Sequence, residues 1–466
     1  MKFLRSRLVV FFNSKYTNRY IFITLATLLL SFRANAQSSE LDRYISIALE
    51  NNKGLIEQQL NVKIADKNSE IARSYFLPNI SLQASYDIAE GGRTIDVPVG
   101  DLLNPLYGSV NDLLGENRFP TNLENVSTPI LLDDFQETKL RVIQPLFNTD
   151  IFYSYKAQRS LQDVQDIKKE AFKNELIKEV KIGYYNYLSA VKAVEIHQST
   201  KNQLEEVLEY NKSLFKNGEI TKDVLSQTEL ELSNTESEIL SFKNKKSKAK
   251  YYFNILLNRP LGTDIIQSEE TLSMFIAEGE DYSVNSALRN RSDLQALRKG
   301  SQALEYTLQR EKYGRLPEIF VSADVGYQGV GYNFSDQEFM LIRFGLKWEL
   351  FNALKHTKEI QKARLKLQKN ENKIQTLQDQ IELQVMNSKE AVSHARAMLG
   401  TRKLGEKSAY ERFNIVKNRY EQGEVIFLEY LEAQKDLQRS KLKKLIAQYD
   451  LLKEIARLDS IVENIK

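Results

Sequence analysis

Apolar and polar residues along this chain follow two rhythms. In long stretches apolar residues recur every three or four positions. Leu161, Val164, Ile167 and Ala171 lead into Leu176, Val180, Tyr184, Tyr187, Val191 and Val194. The second half shows Ile374, Leu377, Ile381 and Val385, then Val392, Ala395 and Met398. That spacing draws one apolar seam along a polar helix, as in coiled-coil packing. Proline placement marks the same territory, because none of the eight prolines falls between 146 and 259 or after 317. Proline removes a backbone donor and clashes with the preceding turn, so its absence lets helices run on. A helix over about 150–216 extends roughly 100 Å at 1.5 Å per residue. That is the length of a strut or of the wall of a long tube.

Four shorter segments alternate with period two, the mark of strands with one apolar face. In 79–88, Ile80, Leu82, Ala84, Tyr86 and Ile88 oppose Asn79, Ser81, Gln83, Ser85 and Asp87. In 319–327, Ile319, Val321, Ala323, Val325 and Tyr327 oppose Phe320, Ser322, Asp324 and Gly326. In 340–350, Met340, Ile342, Phe344, Leu346, Trp348 and Leu350 oppose Leu341, Arg343, Gly345, Lys347 and Glu349. The segment 138–147 is less regular, with Leu140, Val142 and Leu146 against Lys139 and Arg141. A half-buried sheet of a soluble domain uses the same alternation. Here each segment is about ten residues, enough to cross a bilayer obliquely. Long polar helices flank each hairpin and leave no second layer to cover its apolar face, so lipid is expected there. Phe147, Trp348 and Phe351 at the strand ends are candidates for an interfacial aromatic girdle.

The chain also repeats itself. Tyr75-Phe76-Leu77-Pro78 returns loosely as Gly314-Arg315-Leu316-Pro317, and Leu146-Phe147-Asn148 as Leu350-Phe351-Asn352. Phe215-Lys216-Asn217-Gly218-Glu219-Ile220 returns as Tyr420-Glu421-Gln422-Gly423-Glu424-Val425. From Phe147 to Gly218 is 71 residues, and from Phe351 to Gly423 is 72. From Pro78 to Phe147 is 69, but from Pro317 to Phe351 only 34. The excess lies in 91–136, whose Gly, Pro, Asn and Asp are loop composition. The expected layout is a first repeat over 37–258 and a second over 287–466, with a segment at 259–286 between them. The first holds a β-hairpin at 79–147, with the long loop 91–136, and a helical hairpin at 150–257. The second holds a β-hairpin at 318–351 and a helical hairpin at 354–461. The enlarged loop is expected to shape outer access or to meet an extracellular partner.

Four strands cannot close around a lumen, and open edges are not tolerated in hydrocarbon. Two copies supply eight strands and three supply twelve; only the larger ring leaves a wide opening.

Composition removes other readings. Residues 1–36 form a basic leader, an apolar stretch from Tyr20 to Ser31 and an Ala34-Asn35-Ala36 cleavage pattern, as in a secretory signal. They hold six basic and no acidic residues, so the formal charge falls from +3 to −3 without them. No basic face remains for nucleic acid. There are no cysteines, hence no disulfides or thiolate sites. His197, His356 and His394 stand singly in helical segments, and no metal or other cofactor is expected. No nucleophile elbow, phosphate loop or ligand cluster supports an enzyme.

Taken in order, these residues resemble the TolC family of outer-membrane efflux channels over essentially all of 37–466. The resemblance rests on the two helix–hairpin–long helix–Gly turn–helix repeats and on Leu-Pro opening each hairpin. It rests also on Tyr420-x-x-Gly423-x-x-x-x-x-Glu429-x-Leu431-x-Ala433-Gln434. It implies a mainly α fold with transmembrane β, in which a homotrimer forms a twelve-stranded β-barrel continued by an α-helical barrel. It implies a passive exit duct in the bacterial outer membrane, served by a periplasmic adaptor and an inner-membrane pump. An equatorial belt falls at 259–286. The helix turns become the periplasmic tip that adaptors touch: Asn217, Gly218 and Glu219 in one, Gln422, Gly423 and Glu424 in the other. Tyr420 takes an inter-helix hydrogen-bonding position of the closed tip. Glu429 and Glu432 take the places of an acidic pair at the narrowest point. Their i, i+3 spacing puts them on one helix face, and three-fold symmetry stacks them into two carboxylate rings, which favour cations. Val425 stands where a partner arginine is expected. The competing reading is a soluble periplasmic coiled-coil adaptor or scaffold.

Overall fold

The computed structural model describes residues 40–267, 282–332 and 334–463. The expected signal peptide at 1–36 and positions 268–281 of the equatorial segment lie outside them. The chain divides into two compact units.

One unit comprises Glu57–Ala171 and Arg291–Ile381. Helix α2 (Lys53–Ser74) stops before Leu77-Pro78, and strand β1 (Asn79–Asp87) follows. Likewise α7 (Ser292–Tyr313) stops before Leu316-Pro317 and β5 (Glu318–Val330). Each proline ends a helical exit turn that cannot continue as helix. With β4 (Phe135–Phe147) and β6 (Glu338–Lys347) they form one antiparallel sheet in the order β1-β4-β5-β6. The register sets Ile80, Val142, Ala323 and Ile342 in one row across the sheet, and Leu82, Leu140, Val325 and Met340 in another. All four alternating segments therefore turn their apolar residues to the same face. The opposite face carries Ser81, Arg141 and Asp324 in register. Arg141 grips Asp324 through Nε and Nη2, both at 2.7 Å. The repeated Leu-Phe-Asn also has a local cause. The asparagine caps the next helix: Ile151 N–H donates to Asn148 Oδ1 at 3.1 Å, and His356 N–H to Asn352 Oδ1 at 3.4 Å.

The segment 91–136 corrects the expectation of a loop. It holds a two-stranded ladder, β2 (Thr94–Val97) with β3 (Val126–Pro129), and helix α3 (Val99–Leu114). Asparagines bind α3 to the returning chain. Asn104 donates to Leu123 O at 2.9 Å and accepts from Leu123 N–H at 2.8 Å. Asn111 donates to Phe119 O at 2.8 Å and accepts from Phe119 N–H at 3.0 Å. Gly100 is required by closeness, since an added Cβ would meet Leu123 O at 2.1 Å.

The other unit comprises Met1–Ile56, Phe172–Asn290 and Glu382–Lys466. It contains α1 (Glu40–Asn51), α5 (Lys222–Leu256), α6 (Val284–Asn290) and α9 (Phe427–Val462). The long helices α4 (Thr149–Lys216, 68 residues) and α8 (Lys355–Glu421, 67 residues) contribute to both units. One core gathers Leu41, Tyr44, Val180, Tyr184, Phe253, Leu257 and Leu452. Tyr44 meets Phe253 edge-on at 5.1 Å. The chain after α5 folds back onto this core: Tyr184 Oη donates to Ile266 O at 3.1 Å, and Ile266 N–H donates to Tyr44 Oη at 2.8 Å. A second core lies at the far ends of α4 and α8.

Candidate functional site at the helix turns and the apolar sheet face

Both turns are built alike. Gly218 and Gly423 adopt left-handed φ of 77° and 74°, which glycine alone takes without strain. At the first, Glu219 N–H reaches Leu214 O at 2.9 Å and Gly218 N–H reaches Phe215 O at 3.0 Å. At the second, Glu424 N–H reaches Arg419 O at 2.9 Å and Gly423 N–H reaches Tyr420 O at 3.0 Å. This is the Schellman arrangement, which satisfies the last helical carbonyls. Asn217, Gly218 and Glu219, and Gln422, Gly423 and Glu424, are all exposed.

Behind the second turn the chain is far more ordered by packing. Phe413, Tyr420, Phe427, Tyr430, Leu431 and Leu437 form a buried cluster. The Tyr420 and Tyr430 rings lie 5.2 Å apart, and Tyr420 and Phe427 5.8 Å. Through this cluster runs a buried polar chain. Tyr420 Oη donates to Asn211 Oδ1 at 2.6 Å. Asn211 Nδ2 donates to Thr228 Oγ1 at 2.9 Å. Thr228 Oγ1 donates to Val224 O at 2.8 Å. Three helices, α8, α4 and α5, are thereby joined. Burial pushes the Tyr420 phenol up to about 12, so it stays a donor at every physiological pH. Sequence reasoning named Tyr420 but missed Asn211, which stands 209 residues away in the chain, and Thr228, 17 residues beyond Asn211. At Val425 no arginine offers a substitute bond; Arg419 instead pairs with Glu424 at 3.3 Å.

Glu429 and Glu432 are exposed and make no ion pair or side-chain hydrogen bond. They flank the buried stripe of Tyr430, Leu431, Ala433 and Gln434 on α9. The structure thus separates them from Tyr420: the tyrosine is internal, and the carboxylates are presented outward.

On the sheet, the apolar face is bare. Leu82 is 74%, Met340 68% and Phe344 79% exposed. A sheet face of that size on a water-soluble protein is covered by another layer. Phe147 ends β4, whereas Trp348 and Phe351 fall just past the end of β6 at Lys347. All three are exposed, and Trp348 Nε1 donates to Arg315 O at 2.9 Å. Further aromatics crowd the same strand-to-helix junctions. Tyr153 stacks on Tyr313 at 5.4 Å, and Phe76 meets Tyr155 edge-on at 5.9 Å. The signal for these was available, since Tyr75-Phe76 directly precedes Leu77-Pro78.

Among the described residues no helix is long and apolar enough to cross a membrane, and no cluster of His, Cys, Asp or Glu could hold a metal. A sheet with one bare apolar face, Gly-turned long helices and no catalytic constellation call for comparison with channels. Residues 283–462 match the family described as outer membrane efflux protein. Over those residues, less than half of the chain, the sequence is similar to that family. Among curated proteins none matches the sequence. Solved structures of similar fold include the outer membrane protein VceC of Vibrio cholerae, at 15% identity and a TM-score of 0.71, covering 91% of this chain and 96% of that one. The outer membrane channel MtrE of Neisseria gonorrhoeae, solved in its open state, gives 17% and 0.74, covering 91% and 88%. The CmeC outer membrane channel of Campylobacter jejuni gives 15% and 0.72, covering 91% and 85%. These likenesses show that the chain has the fold of those outer-membrane channels.

Proposed function

We propose that three copies of this chain close their sheets into a twelve-stranded barrel and serve as the passive exit duct of a tripartite efflux or secretion system. The observation that carries this reading is the open four-stranded sheet. Among the described residues its edges β1 and β6 have no partner and its apolar face has no cover. Unpaired edges cannot stand in hydrocarbon, where each orphan amide or carbonyl costs several kcal/mol. Pairing β6 of one copy with β1 of the next removes every edge. Energy for transport comes from an inner-membrane pump, linked by a periplasmic adaptor that touches the turns at 217–219 and 422–424.

The tip is the gate in this proposal. The Tyr420–Asn211–Thr228 chain holds the three helices in the closed packing, and opening requires these bonds to give. Glu429 and Glu432, free of partners, supply two three-membered carboxylate rings to the narrowest point. Phe147, Trp348 and Phe351 anchor the barrel at the membrane interface, where amphipathic rings are favoured.

The test uses outer membranes solubilised in mild detergent and run on one gel, unboiled and boiled. A band near three times the monomer mass that collapses on boiling supports the duct. Extraction without detergent, or a monomer in both lanes, overturns it in favour of a soluble adaptor or scaffold.

A further inference from the structure

Between α4, α8 and the start of α9 lies a cleft of about 340 Å3, formed wholly within one chain. Four aromatic rings line it: Tyr210, Phe413, Tyr420 and Tyr430. Tyr210 meets Tyr420 at 6.1 Å, and Phe413 meets Tyr430 at 5.7 Å. Two carboxylates, Glu206 and Glu421, share the lining with one cation, Lys417. Glu206 is exposed and has no ion-pair partner. Glu421 has only Lys417, one helical turn back, at 3.8 Å, too long for a hydrogen bond. Tyr430 lines the cleft with its side chain 2% exposed, and its hydroxyl, which pairs with no protein group, is open to solvent there. A ligand atom that enters the cleft can take the place of that water. Burial, and then the negative charge of Glu421, raises the Tyr430 phenol well above its usual range, so it remains a neutral hydroxyl.

We propose that this cleft is a binding site for a cationic nitrogen group, a guanidinium or alkylammonium. Ring faces attract cations within about 6 Å of their centroids. The two carboxylates outweigh Lys417 and leave one negative charge for the ligand, and the Tyr430 oxygen accepts an N–H. A planar guanidinium suits the cleft best, because it can lie against a ring and donate along its edge. Glu421 then exchanges its loose contact with Lys417 for the ligand. Tyr420 is one of the lining rings, so an occupant bears directly on the bond from Tyr420 to Asn211. The site needs no assumption about export, since its lining comes from a single chain.

The test is calorimetric titration of the full-length channel in detergent with millimolar guanidinium chloride and with arginine amide, against sodium chloride at equal ionic strength. Saturable heat is expected for both probes and none for sodium. Glu206→Gln and Glu421→Gln should each weaken binding about tenfold, the usual effect of losing one charge-assisted hydrogen bond. Tyr430→Phe should weaken it several-fold while the far-UV dichroism stays unchanged. A helical peptide bearing one arginine, if it binds at least tenfold tighter than arginine amide, assigns the cation to a partner's side chain; equal affinity assigns it to a free small cation. The proposal is overturned by the absence of saturable binding, or by undiminished binding in the Glu206→Gln, Glu421→Gln double variant. Both glutamates are exposed, so that variant decides the matter even if Tyr430→Phe does not fold.

Discussion

Replacing Tyr420 by phenylalanine removes one oxygen and leaves the ring in its cluster. The variant takes away the donor that satisfies Asn211 Oδ1 at 2.6 Å. Asn211 is wholly buried, so water cannot replace the bond. Leaving a buried acceptor unpaired costs about 1–3 kcal/mol. The cost falls on the packing of α4, α5 and α8 near the turns, and the remote core around Tyr184 and Phe253 should not sense it. Hydrogen exchange followed by mass spectrometry reads such local openings. At 1.4 kcal/mol per factor of ten, peptides spanning 205–230 and 413–430 should exchange roughly 5- to 150-fold faster. Peptides over 180–190 and 249–257 should keep the wild-type rate. The Tyr420→Phe, Asn211→Leu double variant should be less damaging than the two single effects combined, because the orphan is gone and Thr228 still donates to Val224 O. Unchanged exchange at the turns, or equal acceleration everywhere, would refute the assignment of Tyr420 as a local tie.

Other outcomes follow from the same structure. Glu429→Gln with Glu432→Gln should lower the cation preference of the reconstituted channel and weaken block by multivalent cations; unchanged selectivity removes both residues from the constriction. Asn111→Ala breaks the bonds to Phe119 and to Arg118 N–H, so trypsin should cut after Arg118 faster than in the wild type. His197 is buried with Nδ1 2.9 Å from Gln438 Nε2, and burial lowers its pKa. The unfolded chain then takes up its proton first as pH falls, so stability is full above about 6.5 and declines below it. Denaturation midpoints of His197→Gln should show a smaller loss between pH 7 and 5.5.

Much of the fold was legible because its physics is local. Period-two alternation placed Ile80, Val142, Ala323 and Ile342 on the apolar sides of their strands, and the register then aligned them across the sheet. The Gly218 and Gly423 turns declared themselves by repetition. Helix α3 was hidden because Gly100, Pro105 and Gly108 read as loop residues, while the asparagines that secure it act through tertiary bonds. The partners of Tyr420 were illegible for the same reason: nothing near Asn211 announces a bond to a residue 209 positions later. Tyr420 itself was singled out only through family resemblance. The cleft lined by Tyr430 has no sequence signature at all, since α4, α8 and α9 assemble it from residues far apart in the chain.

The junction between β4 and β5 carries a consequence for ancestry and assembly. It runs antiparallel from Phe135 opposite Val330 to Phe147 opposite Ile319, further than the ladder of either hairpin, and it joins one repeat to the other. In the proposed trimer a junction of the same kind between chains would complete the ring, so three polypeptides would present six near-equivalent staves. A single-repeat ancestor would have needed six separate molecules to find one another. Fusing two staves into one gene makes half of those encounters intramolecular, and it frees the two copies to diverge, one enlarging its outer loop and the other gathering the aromatic residues of the tip.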